Sequence, residues 1–414
     1  MRIAIVGSGI SGLAAAWLLA REHEVVVYEA EGRLGGHTDT HEVEVEGRRF
    51  AVDTGFIVCN PAHYPLFFRF LAELGVGTRP TTMSFAVRNE RSGLEYNATS
   101  LDTLFVQRRR LFSPRHWRMV RDILRFYREA SALAWAQDAG PELGEWLARE
   151  RYSEAFRDDH LVPMASALWS SSSRQVLQFP LHTLVGFMAN HHMLQVAGRP
   201  QWRVVEGGSS AYVRALSRRW KAAVRLGEPV QSLRRDADGV AVASRTGTER
   251  YDQVVLACHA DQALALLADA STRETEILSA IGFQANETVL HTDASQLPRD
   301  RRAWAAWNAL VPRRPEDACT VSYCMNILQS LDAPVPLVVT LNRTAAIDPA
   351  RILRRMTYHH PVHTRASVAA QRRRAEIDGV NRTWFCGAWW GYGFHEDGMR
   401  SGVDVAAALG ARWP

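Results

Sequence analysis

Lysine is almost missing from this chain: Lys221 is the only one in 414 residues, and arginine carries nearly all the positive charge. Cysteine is scarce as well. Its five copies, Cys59, Cys258, Cys319, Cys324 and Cys386, are odd in number, scattered and never in a Cys-x-x-Cys pair, so a disulfide framework is excluded and reduced thiols in a cytoplasm are expected. No uninterrupted apolar run approaches the roughly twenty residues of a spanning helix. His191 and His192 are adjacent rather than ligand-spaced and have no paired carboxylate, so no metal site is expected. A net charge of +5 tolerates an anionic surface without singling out nucleic acid, and no nucleic-acid partner is expected. The apolar and charged content is that of an ordinary globular protein, and the length exceeds one ordinary core, which predicts two domains.

What is present is concentrated at the two ends. Arg2 to Val6 is a short β-branched run that leads directly into Gly7-Ser8-Gly9-Ile10-Ser11-Gly12, then an alanine-rich helical segment, then a second apolar strand from Glu24 to Tyr28 ending at Glu29. That order is the one a dinucleotide cradle needs. The first glycine makes the tight turn, the second lets backbone N–H groups reach a pyrophosphate, and the third lets helix pack on strand, while the acid can accept hydrogen bonds from a ribose. The opening reads as a strand and glycine turn, not as a signal or transit peptide.

Glu31-Gly-Arg33-Leu-Gly35-Gly36-His37-Thr38-Asp39-Thr40 follows at once. Here the sequence resembles the FAD-binding flavoproteins of the amine-oxidase and phytoene-desaturase superfamily, whose Arg-x-Gly-Gly-Arg-x-x-Ser/Thr motif is matched by Arg33, Gly35, Gly36 and Thr40, with His37 in place of the second arginine. The resemblance implies FAD as cofactor. It places Gly7, Gly9, Ser11, Gly12, Glu29, Arg33, Gly35, Gly36, His37 and Thr38 beside it, with the backbone of Val230 near the adenine. It also implies an α/β, overall α+β, architecture: a Rossmann-type FAD-binding domain from residues 1–77, 202–265 and 364–414, and an interleaved mixed α+β substrate domain from 78–201 and 266–363.

The closing segment, Thr383 to Gly402, is the second strong signal. A strand ends at Gly387, an aromatic loop follows, and a terminal helix begins near His395. By the same resemblance Gly387, Ala388 and Met399 complete the cofactor site, with Ala388 where the family carries Asp. The wording Gly-Ala-Trp-Trp-Gly-Tyr-Gly-Phe-His-Glu-Asp-Gly is similar to bacterial flavoproteins that accompany cyclopropane-fatty-acid synthases. This implies an oxidoreductase acting on fatty-acyl chains, with a desaturation at a phospholipid-bound, possibly methyl-branched chain as the leading expectation. A double-bond isomerase, an amine oxidase and a non-catalytic partner of a lipid methyltransferase stand as alternatives. Many amine oxidases of the superfamily hold a lysine near the flavin; Lys221 lies away from every cofactor motif.

His395, Glu396, Tyr358 and His359 are the candidate proton-handling residues, His395 first because neutral imidazole accepts a proton near neutral pH. The polar cluster Met356 to His363 is expected to be a loop over the flavin. Trp169, Phe187, Met188, His191 and Met193 are candidates for an apolar pocket. One helix carries a stripe of Trp117, Val120, Leu124 and Tyr127 beside another of Arg118, Arg121, Arg125 and Arg128, a pattern that fits either a solvated face or an anionic membrane surface. The expected location is cytoplasmic, with peripheral contact at the inner membrane face.

Overall fold

Arg2–Val6 lies at the centre of a five-stranded parallel sheet, buried on both faces as a strand flanked by helices must be. Glu24–Tyr28 and Ala223–Arg225 follow it on one side, Gln253–Leu256 and Thr383–Phe385 on the other. That order joins the two ends of the chain. The terminal helix, His395–Ala408, packs on the first helix, Ile10–Leu19, so closely that a Cβ on Gly402 would stand 2.2 Å from the Ser11 carbonyl oxygen. The structure, a computed structural model, describes residues 1–134, 138–313 and 319–413.

A second, mixed sheet of seven strands draws on residues 85–97 and 283–361, in the order Ile352–Pro361, Phe283–His291, Val338–Leu341, Thr320–Cys324, Trp307–Val311, Phe85–Asn89, Leu94–Asn97. Helices between residues 114 and 190 build their own aromatic core around Phe126, Phe156, Trp169 and Phe187, with Val162–Trp169 against the sheet at Trp307–Val311. The hairpin Thr40–Val45 with Arg48–Asp53 connects the two regions.

One local expectation is overturned. Residues Met356 to Pro361 are not a loop but the end of the ten-residue edge strand Ile352–Pro361, paired antiparallel with Phe283–His291. Proline is tolerated there because it sits at the last position of an edge strand. Strand geometry then sends neighbouring side chains to opposite faces, so Tyr358 is buried while His359 is exposed.

Candidate active site

The C-terminal ends of the parallel strands, the seven-stranded sheet and the helical layer enclose a continuous cavity of about 1410 Å³. Its nucleotide end is built by the opening segment. Gly7 has φ +104°, a conformation glycine adopts without strain, and a Cβ there would meet the Ala257 carbonyl oxygen at 2.8 Å. Gly12 packs instead of lining: its Cβ would stand 2.1 Å from the Gly7 oxygen, so it serves helix-on-strand contact. Gly9 differs from both. A Cβ there would meet nothing within 4 Å, and no side chain caps the first helix, so its leading N–H groups face open space beside Gly9 and Ser11. Such a terminus binds an anion well.

Glu29 lines the same end and accepts hydrogen bonds from the Ser8 backbone N–H at 2.9 Å and the Ser8 hydroxyl at 2.5 Å, which fixes its carboxylate and leaves further lone pairs for ribose hydroxyls. Arg33 donates to the Gly36 and Thr38 carbonyls at 2.9 and 3.2 Å and pairs with Asp39 at 3.2 Å. Burial opposes the charge on Asp39, but His41 and Arg33 beside it hold its carboxyl below the usual range. Gly35, Gly36, His37 and Val230 also reach the cavity. Burial drives the His37 imidazole down to about 4, so it is neutral, and its Nε2 is a buried ring nitrogen with no hydrogen-bond partner in the protein.

At the junction with the second sheet, Gly387, Ala388, Tyr358, His359 and His395 converge on the cavity. The His395 ring stacks on Phe56, with centroids 3.7 Å apart, and its Nε2 lies 3.1 Å from the Tyr212 hydroxyl. Tyr212 in turn bonds the Thr38 hydroxyl at 2.5 Å. Burial keeps His395 far below the ordinary imidazole value and therefore neutral. Tyr358 donates to Asp39 at 2.9 Å and shares a 2.6 Å hydrogen bond with Thr54, and burial raises its phenol.

Besides Gly12, three expected site residues stand elsewhere. Thr38 faces Tyr212 and does not line the cavity, although its neighbour His37 does. Met399 is buried among Ile10, Leu13 and Phe67, on the helix face turned to the core. Glu396 turns away from the main cavity: its two oxygens accept from the Leu66 and Phe67 N–H groups at 2.9 and 3.0 Å, closing the start of helix Pro65–Leu74. Burial lifts its carboxyl to about 7. Asp53, in the Asp-x-Gly segment, is likewise a clasp, held by Thr40, Ser209 and Gln329, while Gly55 and Phe56 beyond it line the cavity. Cys258 and His259, just past the end of the strand at Leu256, both reach the cavity, and burial pushes the thiol up to about 12, which leaves it inert.

The far lobe is walled by Phe85, Met164, Trp169, Phe187, Trp307 and Met356, and Tyr127 and Arg199, hydrogen-bonded to each other, line it as well. Trp169, Phe187, His191 and Met193 line it as expected, whereas Met188 lies in the helical core. Arg199 and Tyr212 carry no local motif; pairing them with the site requires the fold.

This arrangement, an uncapped helix start after a parallel strand with an acid at the next strand end, is that of a dinucleotide-binding flavoprotein. A family model described as flavin containing amine oxidoreductase matches residues 10–291, and the chain belongs to that family. L-amino-acid oxidase from Siganus canaliculatus is 26% identical over 322 residues, which are 71% of this chain and 57% of that protein, so the chain spans little more than half of its relative's length. The solved structures of a CLA-producing fatty acid isomerase from P. acnes and of cyclohexylamine oxidase from Brevibacterium oxydans IH-35A each superpose with a TM-score of 0.70, at 16% and 18% identity, covering 99% of this chain and 98% of theirs. At that identity the likeness is one of fold. FAD is the cofactor of this family, and the open space at Gly9, the fixed Glu29 carboxylate and the unpartnered His37 Nε2 fit it. Among the described residues no helix is long and apolar enough to cross a membrane, and no cluster of side chains is arranged to hold a metal ion.

Proposed function

We propose that the enzyme desaturates fatty-acyl chains, those of membrane phospholipids first and methyl-branched chains among them. The observation that carries this reading is the composition of the far lobe. Among the described residues its wall is mainly aromatic and aliphatic, no Asp or Glu lines the cavity beyond Glu29, Glu31 and Asp39 of the opening segment, and Arg199 is the one guanidinium besides Arg33. An ammonium substrate would enter without a carboxylate partner, which burial penalises, whereas a hydrocarbon chain with an anionic head suits both the wall and the arginine.

Bound FAD supplies hydride acceptance, the two-electron half of converting CH2–CH2 to CH=CH. The chain's own residues supply the rest. The aromatic lobe orients the acyl chain and excludes water, and the neutral His395 imidazole, held by Phe56 and Tyr212, receives the proton that leaves the neighbouring carbon. Tyr358, tied to Asp39 and Thr54, is fixed as a hydrogen-bond donor in the same cavity.

The test is anaerobic mixing of purified holoenzyme with phospholipid vesicles. Bleaching of the flavin with loss of two hydrogens from the acyl chain supports the reading, and His395→Gln is expected to slow bleaching by about 10²- to 10⁴-fold with FAD retained. Absence of bleaching by any phospholipid refutes it. A product of unchanged mass assigns isomerisation, the activity named for the structural neighbour from P. acnes. Hydrogen peroxide released with simple amines assigns amine oxidation.

A further inference from the structure

The helix Pro114–Ser131 buries His116, Met119, Asp122, Phe126 and Ala130, half-buries Val120 and Tyr127, and leaves Trp117 and Leu124 of its second apolar stripe facing out. Trp117 is 49% and Leu124 54% exposed, and the turn before the helix adds Leu111 at 42% and Phe112 at 89%. Leu101, at 74%, extends the same segment. Large apolar side chains this exposed are normal singly, but five between residues 101 and 124 are not scattered.

Charge accompanies them. Eight arginines stand between residues 108 and 128, and the only carboxylates from 101 to 128 are Asp102, which pairs with Arg108, and the buried Asp122. Arg115 is held by Asp159. Among the described residues Arg109, Arg110, Arg118 and Arg128 have no carboxylate within ion-pair distance. The stripe is also continuous with the cavity: Tyr127, three residues beyond Leu124 on the same helix face, lines it, and so does Arg199, hydrogen-bonded to Tyr127. Val196, in the loop that carries Arg199, is 73% exposed.

We infer that this face, from Leu101 to Leu124 with its flanking arginines, docks on an anionic phospholipid bilayer and that acyl chains enter the cavity between Tyr127 and Arg199. Phe112, Trp117 and Leu124 insert at the headgroup boundary, while Arg109, Arg110 and Arg118 meet lipid phosphates, the arrangement of an interfacial helix. The entry route rests on the acyl-chain reading above; the docking does not, because binding needs no turnover.

The test is co-sedimentation of the full-length holoenzyme with vesicles of phosphatidylcholine alone or mixed with phosphatidylglycerol. Binding is expected to the mixed vesicles only and to weaken at about 1 M salt. Arg109→Gln with Arg118→Gln is expected to weaken it about 25-fold, at about five-fold per charge. Phe112→Ser with Leu124→Ser is expected to weaken it at least as much, and Leu226→Ser, at an exposed apolar position outside this segment, to leave it unchanged. Flavin absorbance and thermal midpoint report that each variant is folded. Equal binding to neutral and anionic vesicles, or wild-type binding by both double variants, overturns the inference. So does a dimer that Phe112→Ser converts to monomer, which would assign the face to a second copy of the chain. Vesicle binding without flavin reduction by any lipid would refute the acyl-chain reading while leaving the docking intact.

Discussion

Replacing Gly9 with alanine separates the cofactor from the fold. Its φ of −62° and ψ of 175° lie where alanine is unstrained, and the added Cβ meets no protein atom within 4 Å. The apoprotein should therefore tolerate the change, and gain about 0.4–1 kcal/mol because the unfolded chain loses freedom. The methyl group, however, projects into the space where backbone N–H groups approach the pyrophosphate. Forcing a methyl into a close contact costs about 1–3 kcal/mol, roughly a 5- to 150-fold rise in the Kd for FAD. Gly12→Ala should behave oppositely. Its Cβ would stand 2.1 Å from the Gly7 oxygen and 3.1 Å from the Ala257 Cβ, so the first helix must move and the apoprotein itself is destabilised. Flavin titration of each apoprotein, together with its thermal midpoint, measures both effects. If Gly9→Ala binds FAD as tightly as the wild type, the assignment of Gly9 and the uncapped helix start to the pyrophosphate is wrong.

Acidification should destabilise the protein below about pH 6.5, the unfolded histidine value. Burial lowers His37, His191, His259, His291 and His363 to about 4 and His160 and His360 to about 3, and holds His395 well below its ordinary value, so below that pH the unfolded chain binds protons that the folded chain refuses. Burial raises Asp53 and Asp397 to about 6 and Glu396 to about 7, which works in the opposite direction, because these carboxyls keep protons when folded that the unfolded chain releases. Eight histidines outweigh three carboxyls, and each net proton contributes about 1.4 kcal/mol per pH unit, so the thermal midpoint of the apoprotein should fall between about pH 7 and about pH 5; a flat or rising profile contradicts this. Glu396→Ala should cost about 1–3 kcal/mol by stranding the Leu66 and Phe67 N–H groups, with FAD content unchanged, as read from chemical unfolding. Lost turnover at unchanged stability would return Glu396 to the catalytic group. Arg235→Met should cost about 3–5 kcal/mol in the same assay, because it strands Glu274, which is 1% exposed and bonded to Arg235 at 2.5 and 3.0 Å.

The nucleotide end was legible in the sequence because its parts are local: Gly7, Gly9, Gly12 and Glu29 lie within one strand-helix-strand unit, and the turn chemistry dictates their positions. The closing segment was legible as a segment but not residue by residue. On the terminal helix His395 meets the cavity and Glu396, turned about 100° from it, meets helix Pro65–Leu74, while Met399, on the His395 face but about one turn further along the axis, meets the first helix. Nearness to a motif does not set side-chain direction. The same lesson applies to helix Pro114–Ser131, whose spacing shows an apolar stripe of Trp117, Val120, Leu124 and Tyr127, while the buried face belongs to Met119, Phe126 and Ala130 and only Trp117 and Leu124 of the stripe are exposed. Tyr212 and Arg199 could not be paired with the site at all, since each is brought there by contacts between distant elements.

The distribution of charge along the cavity bears most directly on what it takes. Glu29, Glu31 and Asp39 all lie at the nucleotide end, where Glu29 and Asp39 are engaged by Ser8, Tyr358 and Arg33 and Glu31 pairs with Arg33. Beyond these three, no carboxylate among the described residues lines the cavity, and Arg199 is its one guanidinium besides Arg33. An amine-specific lobe would place its negative charge where the substrate sits; here the negative charge is spent on arginine, histidine and tyrosine partners within the opening segment and its neighbours. The scarcity of lysine adds to this, because Lys221 is exposed and does not line the cavity. An ordinary flavin cradle joined to a lobe of aromatic rings, with Arg199 as its one guanidinium among the described residues, supports the proposed substrate, an apolar molecule with an anionic end.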